Sequence, residues 1–206
     1  MKKKFTLIIS FFLSFFIFVN VVYSEENKLK VLKFKDNQYK LNPEFAPDIK
    51  HYSANCGDGD NFELKIIPEN SDYEVEVNNK KLNIDKIKTY INNGLTYKDD
   101  IKISLRSNQN LNKKTYYYIH CVSKKFPKIK VKNKVGVDNG FLITNLRFHK
   151  AYESILLILD NNGVPRYRDI IVGRVTAFKK HIEGSYSYAI QKGFTPYNKP
   201  QFEIVI

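Results

Sequence analysis

Two cysteines and four histidines are the residues of this chain best able to do chemistry, and their spacing limits which chemistry is open to them. Cys56 and Cys121 each close a run of tyrosine, apolar residue and cysteine at alternate positions: Tyr52, Ala54, Cys56 and Tyr117, Ile119, Cys121. Alternate residues of a strand share one face, so both thiols are expected to be buried. In an exported chain such a pair points to a Cys56–Cys121 disulfide, two buried free thiols being the alternative. On the chain-entropy model a bridge across about 65 residues stabilises by about 4 kcal/mol.

His51, His120, His149 and His181 have no H-x-x-x-H spacing, and the sequence has no C-x-x-C pair, so no zinc motif is formed. His120 alternates outward on its strand, His149 sits in a polar turn with Arg147 and Lys150, and His181 follows Lys179 and Lys180 in a loop. All four are expected to be ordinary surface histidines. Asp58 and Asp60 offer oxygens at alternate positions, which suits calcium, but the stretch is short of ligands and a turn needs the same residues. Neither G-x-S-x-G nor a P-loop is present. The expectation is therefore no catalytic, cofactor-binding or metal residue, and one disulfide.

What must position those residues begins after a targeting segment. Lys2, Lys3 and Lys4 precede an apolar run over Phe5–Val22, then Tyr23, Ser24 and the acidic Glu25 and Glu26, the layout of a cleaved signal peptide over 1–24. An uncleaved anchor is the alternative, since the run is near the shortest that spans a bilayer. Cleavage would leave 182 residues and lower the net charge from +13 to +10, because three lysines leave with the segment. The lysines are scattered, without an Arg-rich patch interleaved with aromatics, so the sequence argues against nucleic acid as a partner. Localisation is expected to be exported: periplasmic, cell-surface or secreted.

Short strand signals recur from Leu29 to Val122, separated by turn clusters at Asn42-Pro43, Gly57–Asp60, Glu69–Asp72 and Asn92–Gly94. Strands are expected near Leu29–Lys35, Lys50–Cys56, Phe62–Ile67, Tyr73–Val77, Ile101–Arg106 and Thr115–Val122, and the spacing of Ile84–Ile91 also suits a short helical turn. Six or seven short strands in about 95 residues predict a two-sheet sandwich. After it, Phe126–Val137 forms a basic connector, where Lys128, Lys130, Lys132 and Lys134 alternate with Ile129, Val131 and Val135. That alternation predicts an edge strand with its lysines outward; a heparin- or lipid-binding stripe is the sharper alternative. Gly140–Asp169 then reads as two or three strands around an Asp160-Asn161-Asn162-Gly163 turn.

Phe45, Pro47, Asp48, Tyr52, Val75, Val77, Asn78, Tyr117 and Ile119 stand where the bacterial cadherin-like β-sandwich module carries its opening Phe…Pro-Asp…Tyr segment, its V-x-V-N hairpin and its closing Tyr-x-Ile strand. The chain resembles that family over 29–125, with Cys121 in place of the last valine and Asp99-Asp100 where a glycine-asparagine pair is usual. A second resemblance covers 138–206. Gly140, Phe141, Leu142, Asp160, Gly163, Tyr167, Phe178, Gly184, Tyr186 and Tyr188 match the opening of an arylsulfotransferase-type β-propeller. That resemblance implies transfer of a sulfuryl group from an aryl sulfate to a phenol through a histidine in later blades, and none of the four histidines here matches that motif.

A propeller needs at least four blades of about 40 residues, and 138–206 holds one and the start of the next, so this half is expected to be incomplete. The fold class expected is all-β: an immunoglobulin/cadherin-like sandwich followed by the first blade of an incomplete propeller. The expected function is the non-catalytic N-terminal portion of an exported arylsulfotransferase-like protein; the alternative is a secreted binding or adhesion module. Aryl sulfate and phenol would be substrates only of a full-length protein. A homodimer through the N-terminal sandwich and contact with an anionic surface are the other partners left open.

Overall fold

The computed structural model describes residues 26–82, 88–92, 94–108, 112–132, 140–148, 153–194 and 200–205. The proposed leader over 1–24 and His149 lie outside them. The described residues are all-β, with no helix among them.

The sandwich is built from strands β1 (Leu29–Phe34), β2 (His51–Ala54), β3 (Phe62–Pro68), β4 (Tyr73–Val77), β5 (Lys80–Lys81), β6 (Lys88–Asn92), β7 (Asp100–Ser107) and β8 (Lys114–Cys121). One sheet has the order β1-β3-β6 and the other β2-β8-β7-β4-β5; β2 runs parallel to β8 and the other pairs are antiparallel. The strands form where period-two alternation is strongest. In β3 Phe62, Leu64 and Ile66 point inward, and in β7 Ile101, Ile103 and Leu105 meet them from the facing sheet. A single core results, closed by Cys56 and Cys121, both fully buried.

Two tyrosines explain why Phe45, Pro47 and Tyr52 go together. The Tyr52 hydroxyl is 2.7 Å from the carbonyls of both Ala46 and Ile49, and the Tyr117 hydroxyl donates to the Pro47 carbonyl at 2.8 Å. The loop before β2 is thus tied to the core by two buried rings whose polar ends need partners. At the β4–β5 turn Asn78 and Asn79 both have positive φ, 48° and 65°, the backbone of a two-residue hairpin. The stretch Ile84–Ile91 is strand where described, over 88–91; its start, 84–87, lies outside the described residues.

The C-terminal half comprises β9 (Leu142–Phe148), β10 (Glu153–Leu159), β11 (Pro165–Val172), β12 (Arg174–Lys180), β13 (Tyr186–Phe194) and β14 (Pro200–Val205). These make two antiparallel three-stranded meanders, β9-β10-β11 and β12-β13-β14. Strand β10 is buried on both faces, which is why its sequence is a continuous apolar run rather than an alternation. Ile155, Leu157 and Leu159 pack on Phe126 and Ile129 of the connector, whereas Leu156 packs on Val175 and Ile190 of the second meander.

Gly173 turns β11 into β12 at φ 123°; a Cβ there would lie 2.8 Å from Ile190 Cγ2. Ser154 secures the same corner, donating to the Gly173 carbonyl at 2.9 Å and accepting from the Val175 amide at 3.1 Å. The Asp160–Gly163 turn forms as its residues predict: Asp160 Oδ1 accepts from the Asn162 and Val164 amides, and Gly163 has φ 75°.

The connector departs from its expected form. Residues 127–132 belong to no strand, so the edge-strand expectation does not hold there, and 133–137 lie outside the described residues. Alternation survives because Ile129 docks on β10 while Lys128 and Lys130 face water, and that needs an extended chain but no ladder partner.

Candidate binding site at the junction of the two halves

The disulfide places the site. Cys56 and Cys121 are bonded, with Cα atoms 4.8 Å apart and 65 residues between them in sequence. The bond fixes the end of β8 beside the segment that follows β2, and the carbonyls at that end face the C-terminal half. Arg168 of β11 reaches them. Its Nε donates to the Cys121 carbonyl at 2.7 Å, and its Nη2 donates to the Asp99 carbonyl at 2.7 Å and to Asp100 Oδ1 at 2.8 Å. Nε also meets the Tyr97 carbonyl. One buried planar guanidinium thus satisfies several acceptors that the sandwich leaves open, a task suited to its fork of donors.

Asp100 links Arg168 to two histidines. His120 Nδ1 lies 3.0 Å from Asp100 Oδ1, close enough for an ion pair, though without a well-aligned hydrogen bond of its own. His120 Nε2 is 3.1 Å from His51 Nδ1, and the His51 ring stacks on Tyr118 with centroids 4.8 Å apart. His120 Nε2 and His51 Nδ1 share one hydrogen bond, whose direction follows from the tautomers of the two rings. Burial, the Arg166 guanidinium and His120 together push His51 down to about 4, so it is uncharged near neutral pH. Burial works to raise the Asp100 carboxyl, but His120 and Arg168 outweigh it and leave that group below its ordinary value.

These positions correct the expectation of surface histidines. His120 does project away from the core face, but it lies beside Asp100 and His51 and is only 4% exposed. His51 is half-buried beside it. His181 is exposed as expected, in the turn between β12 and β13, with Nε2 2.7 Å from Ser187 Oγ. Asp58 and Asp60 serve structure: Asp58 accepts from the Lys124 amide, and Asp60 accepts from Lys124 Nζ at 2.5 Å and the Tyr39 hydroxyl at 3.2 Å. Arg168 was not singled out by the motifs. Its signal is a pair of arginines, Arg166 and Arg168, within the otherwise strand-like VPRYRDIIV.

Two clefts open on either side of Phe126 and Val122, which line both. One, of about 590 Å³, is bounded by Tyr97, Ile155, Arg168 and Ile170 with Lys125 and Glu153 on its wall. The other, of about 390 Å³, lies between the 40–42 segment, the end of β2 and residues 127–130 of the connector.

No protein-family model matches the chain, and no curated protein matches it. The cadherin-like and arylsulfotransferase-type resemblances therefore gain no support from those comparisons. A solved structure, the central fibronectin-III array of RIM-binding protein, is similar at 13% identity over 64% of this chain and 50% of that one, with a TM-score of 0.23. The chain spans half the length of that structure. At that TM-score the likeness carries no argument, and the sandwich stands on its strand pairing and closed core. No helix among the described residues is long and apolar enough to cross a membrane.

Proposed function

We propose that this chain is an exported β-sandwich binding module that takes its ligand at the junction between the sandwich and the C-terminal sheets. The observation that carries the reading is the pair of clefts flanking Phe126, the larger of about 590 Å³ and walled by apolar and aromatic side chains together with Asp58, Lys125, Glu153 and Arg168. Clefts of roughly 300–1,000 Å³ with that mixture are where small ligands dock. Arg168 both lines the cleft and joins the two halves through Asp100, while Asp100 and His120 are not among the residues that line it. The buried disulfide suits an oxidising compartment outside the cytosol, and the lysine-led apolar leader suits export.

Titrating the isotope-labelled protein with small phenolic and sugar fragments tests this. Amide shifts are expected at Tyr97, Ser123, Phe126 and Ile155, and they should weaken in Phe126→Ala and in Lys125→Glu. Shifts clustered elsewhere, or unchanged in both variants, would overturn the reading.

A second reading keeps the C-terminal half as the opening of an arylsulfotransferase-type propeller. It is favoured by the stacking of one antiparallel meander on the next through Leu156, Val175 and Ile190, as neighbouring blades stack. The described residues then supply structure and no catalytic group. Incubation with an aryl sulfate and an acceptor phenol is expected to release no phenol; turnover lost in His51→Gln would show that the histidine pair is a catalytic centre instead.

A further inference from the structure

We infer that the smaller cleft is a recognition site for an acidic polysaccharide, an inference that rests on the binding-module reading and gives it a ligand class. Three lysines line this cleft of about 390 Å³: Lys40 from the segment leading into β2, and Lys128 and Lys130 from the connector. Among the described residues lining it there is no carboxylate. Some lysines elsewhere on the molecule are matched, as in Lys28 with Asp48, Lys81 with Glu74, Lys98 with Asp169 and Lys124 with Asp60. Among the described residues these three have no such partner. Like charges brought together around a concavity raise the local potential and favour an anion.

The rest of the lining selects the kind of anion. Asn42 and Asn55 bring side-chain amides that donate and accept, as sugar hydroxyls require. Leu41, Phe126 and Ile129 supply apolar surface suited to the C–H face of a sugar ring. A concave site with lysines on separate segments fits a chain carrying spaced sulfates or carboxylates. A flat bilayer surface would instead meet a convex or planar basic face.

The cleft is held open by structure rather than by the lysines. Gly163 sits at its edge with φ 75°, and a Cβ there would lie 2.9 Å from Val131 Cγ2 and 3.0 Å from Ile129 Cγ2. The connector therefore runs directly over the Asp160–Gly163 turn, which sets where Lys128 and Lys130 stand.

The test uses the full chain and three probes: a heparin-derived hexasaccharide, the same sugar without its sulfates, and vesicles of phosphatidylglycerol with phosphatidylcholine. Calorimetry should show saturable binding of the sulfated sugar that weakens as salt rises. The double variant Lys128→Gln/Lys130→Gln should lose about fivefold per lysine, on the order of 25-fold together. The charge-matched control Lys30→Gln/Lys33→Gln, on the exposed side of β1, should lose less than threefold, a loss on the order of that expected from diffuse charge alone. Near-ultraviolet circular dichroism confirms that both variants keep the native fold.

Equal losses in cleft and control variants would overturn the site, as would vesicle binding that depends on Lys128 and Lys130 while the sugar does not bind. Neither outcome touches the phenolic and sugar fragment shifts at Tyr97 and Ile155, which report on the binding-module reading by themselves.

Discussion

Arg168 Nη2 lies 2.8 Å from Asp100 Oδ1, joining β11 of the C-terminal half to β7 of the sandwich across 68 residues of sequence. The bond is the centre of a larger arrangement. The same guanidinium satisfies the Cys121 and Asp99 carbonyls, and the same carboxylate faces His120. The two halves are therefore held by a polar latch as well as by the packing of Phe126 and Ile129 on β10.

Replacing Arg168 by Met keeps the apolar stem and removes every donor. Buried carbonyls then lose their partners, and the expected cost is about 2–4 kcal/mol. Arg168→Lys should recover little, because one ammonium cannot reproduce a planar fork that spans several acceptors. Urea unfolding followed by hydrogen exchange checks both: amides of β9–β11 should lose protection before those of β3 and β7. Simultaneous loss of protection in both halves would show that Arg168 supports the fold as a whole rather than the junction.

Reduction or Cys56→Ser/Cys121→Ser frees a loop with a sequence separation of 65. On the chain-entropy model the expected loss is about 4 kcal/mol, mostly through the unfolded state. A denaturant midpoint that does not move on reduction, with both thiols then alkylated, would contradict it. Mapping the linked peptides in a non-reduced digest establishes the pairing in the native protein.

His51 gives the fold a pH dependence whose sign follows from its depression to about 4. Between about 6.5 and 4 the unfolded chain binds a proton that the folded chain does not, so stability is full above that window and falls as pH drops through it. With allowance for the solvent on the open side of the ring, the loss is on the order of 1–2 kcal/mol. His51→Gln keeps a donor toward His120 and removes the titration. Its urea midpoint should change less between pH 7 and pH 4.5 than that of the unaltered protein.

The sandwich was largely legible because its strands are buried on one face, which leaves a period of two that any register must respect. Tyr52, Cys56, Tyr117 and Cys121 show this: their spacing placed all four inside, and all four are fully buried. What covers the other face of a strand is not encoded in its own alternation. His120 points outward from the core, yet it is buried beside Asp100 and His51, and Arg168 bonds that same Asp100 from 68 residues further along the chain. The expected edge strand is missing over 127–132 for a related reason. Alternating Lys and Ile records that one side of an extended chain is dry, and Ile129 on β10 satisfies that without any ladder. Clefts of the kind beside Phe126 arise from how two separately patterned bodies meet, so no single stretch of sequence predicts them.

The two halves should differ in whether they fold alone. The sandwich core draws all its buried members from residues 29–121, so 26–125 should fold cooperatively by itself with its disulfide formed. The piece 138–206 should not. Without the connector, Ile155, Leu157 and Leu159 lose Phe126 and Ile129, and the Arg168 guanidinium loses the sandwich carbonyls and Asp100 that it bonds. An exposed apolar sheet face with an unpaired charge beside it favours aggregation over folding. Extending the same piece back to Phe126 restores the apolar cover but not the latch, so partial protection of β10 is expected from 126–206. Circular dichroism, sedimentation and hydrogen exchange on the three pieces check the order. A monomeric 138–206 with a cooperative thermal transition would show that the two meanders form a complete core through Leu156, Val175 and Ile190 alone.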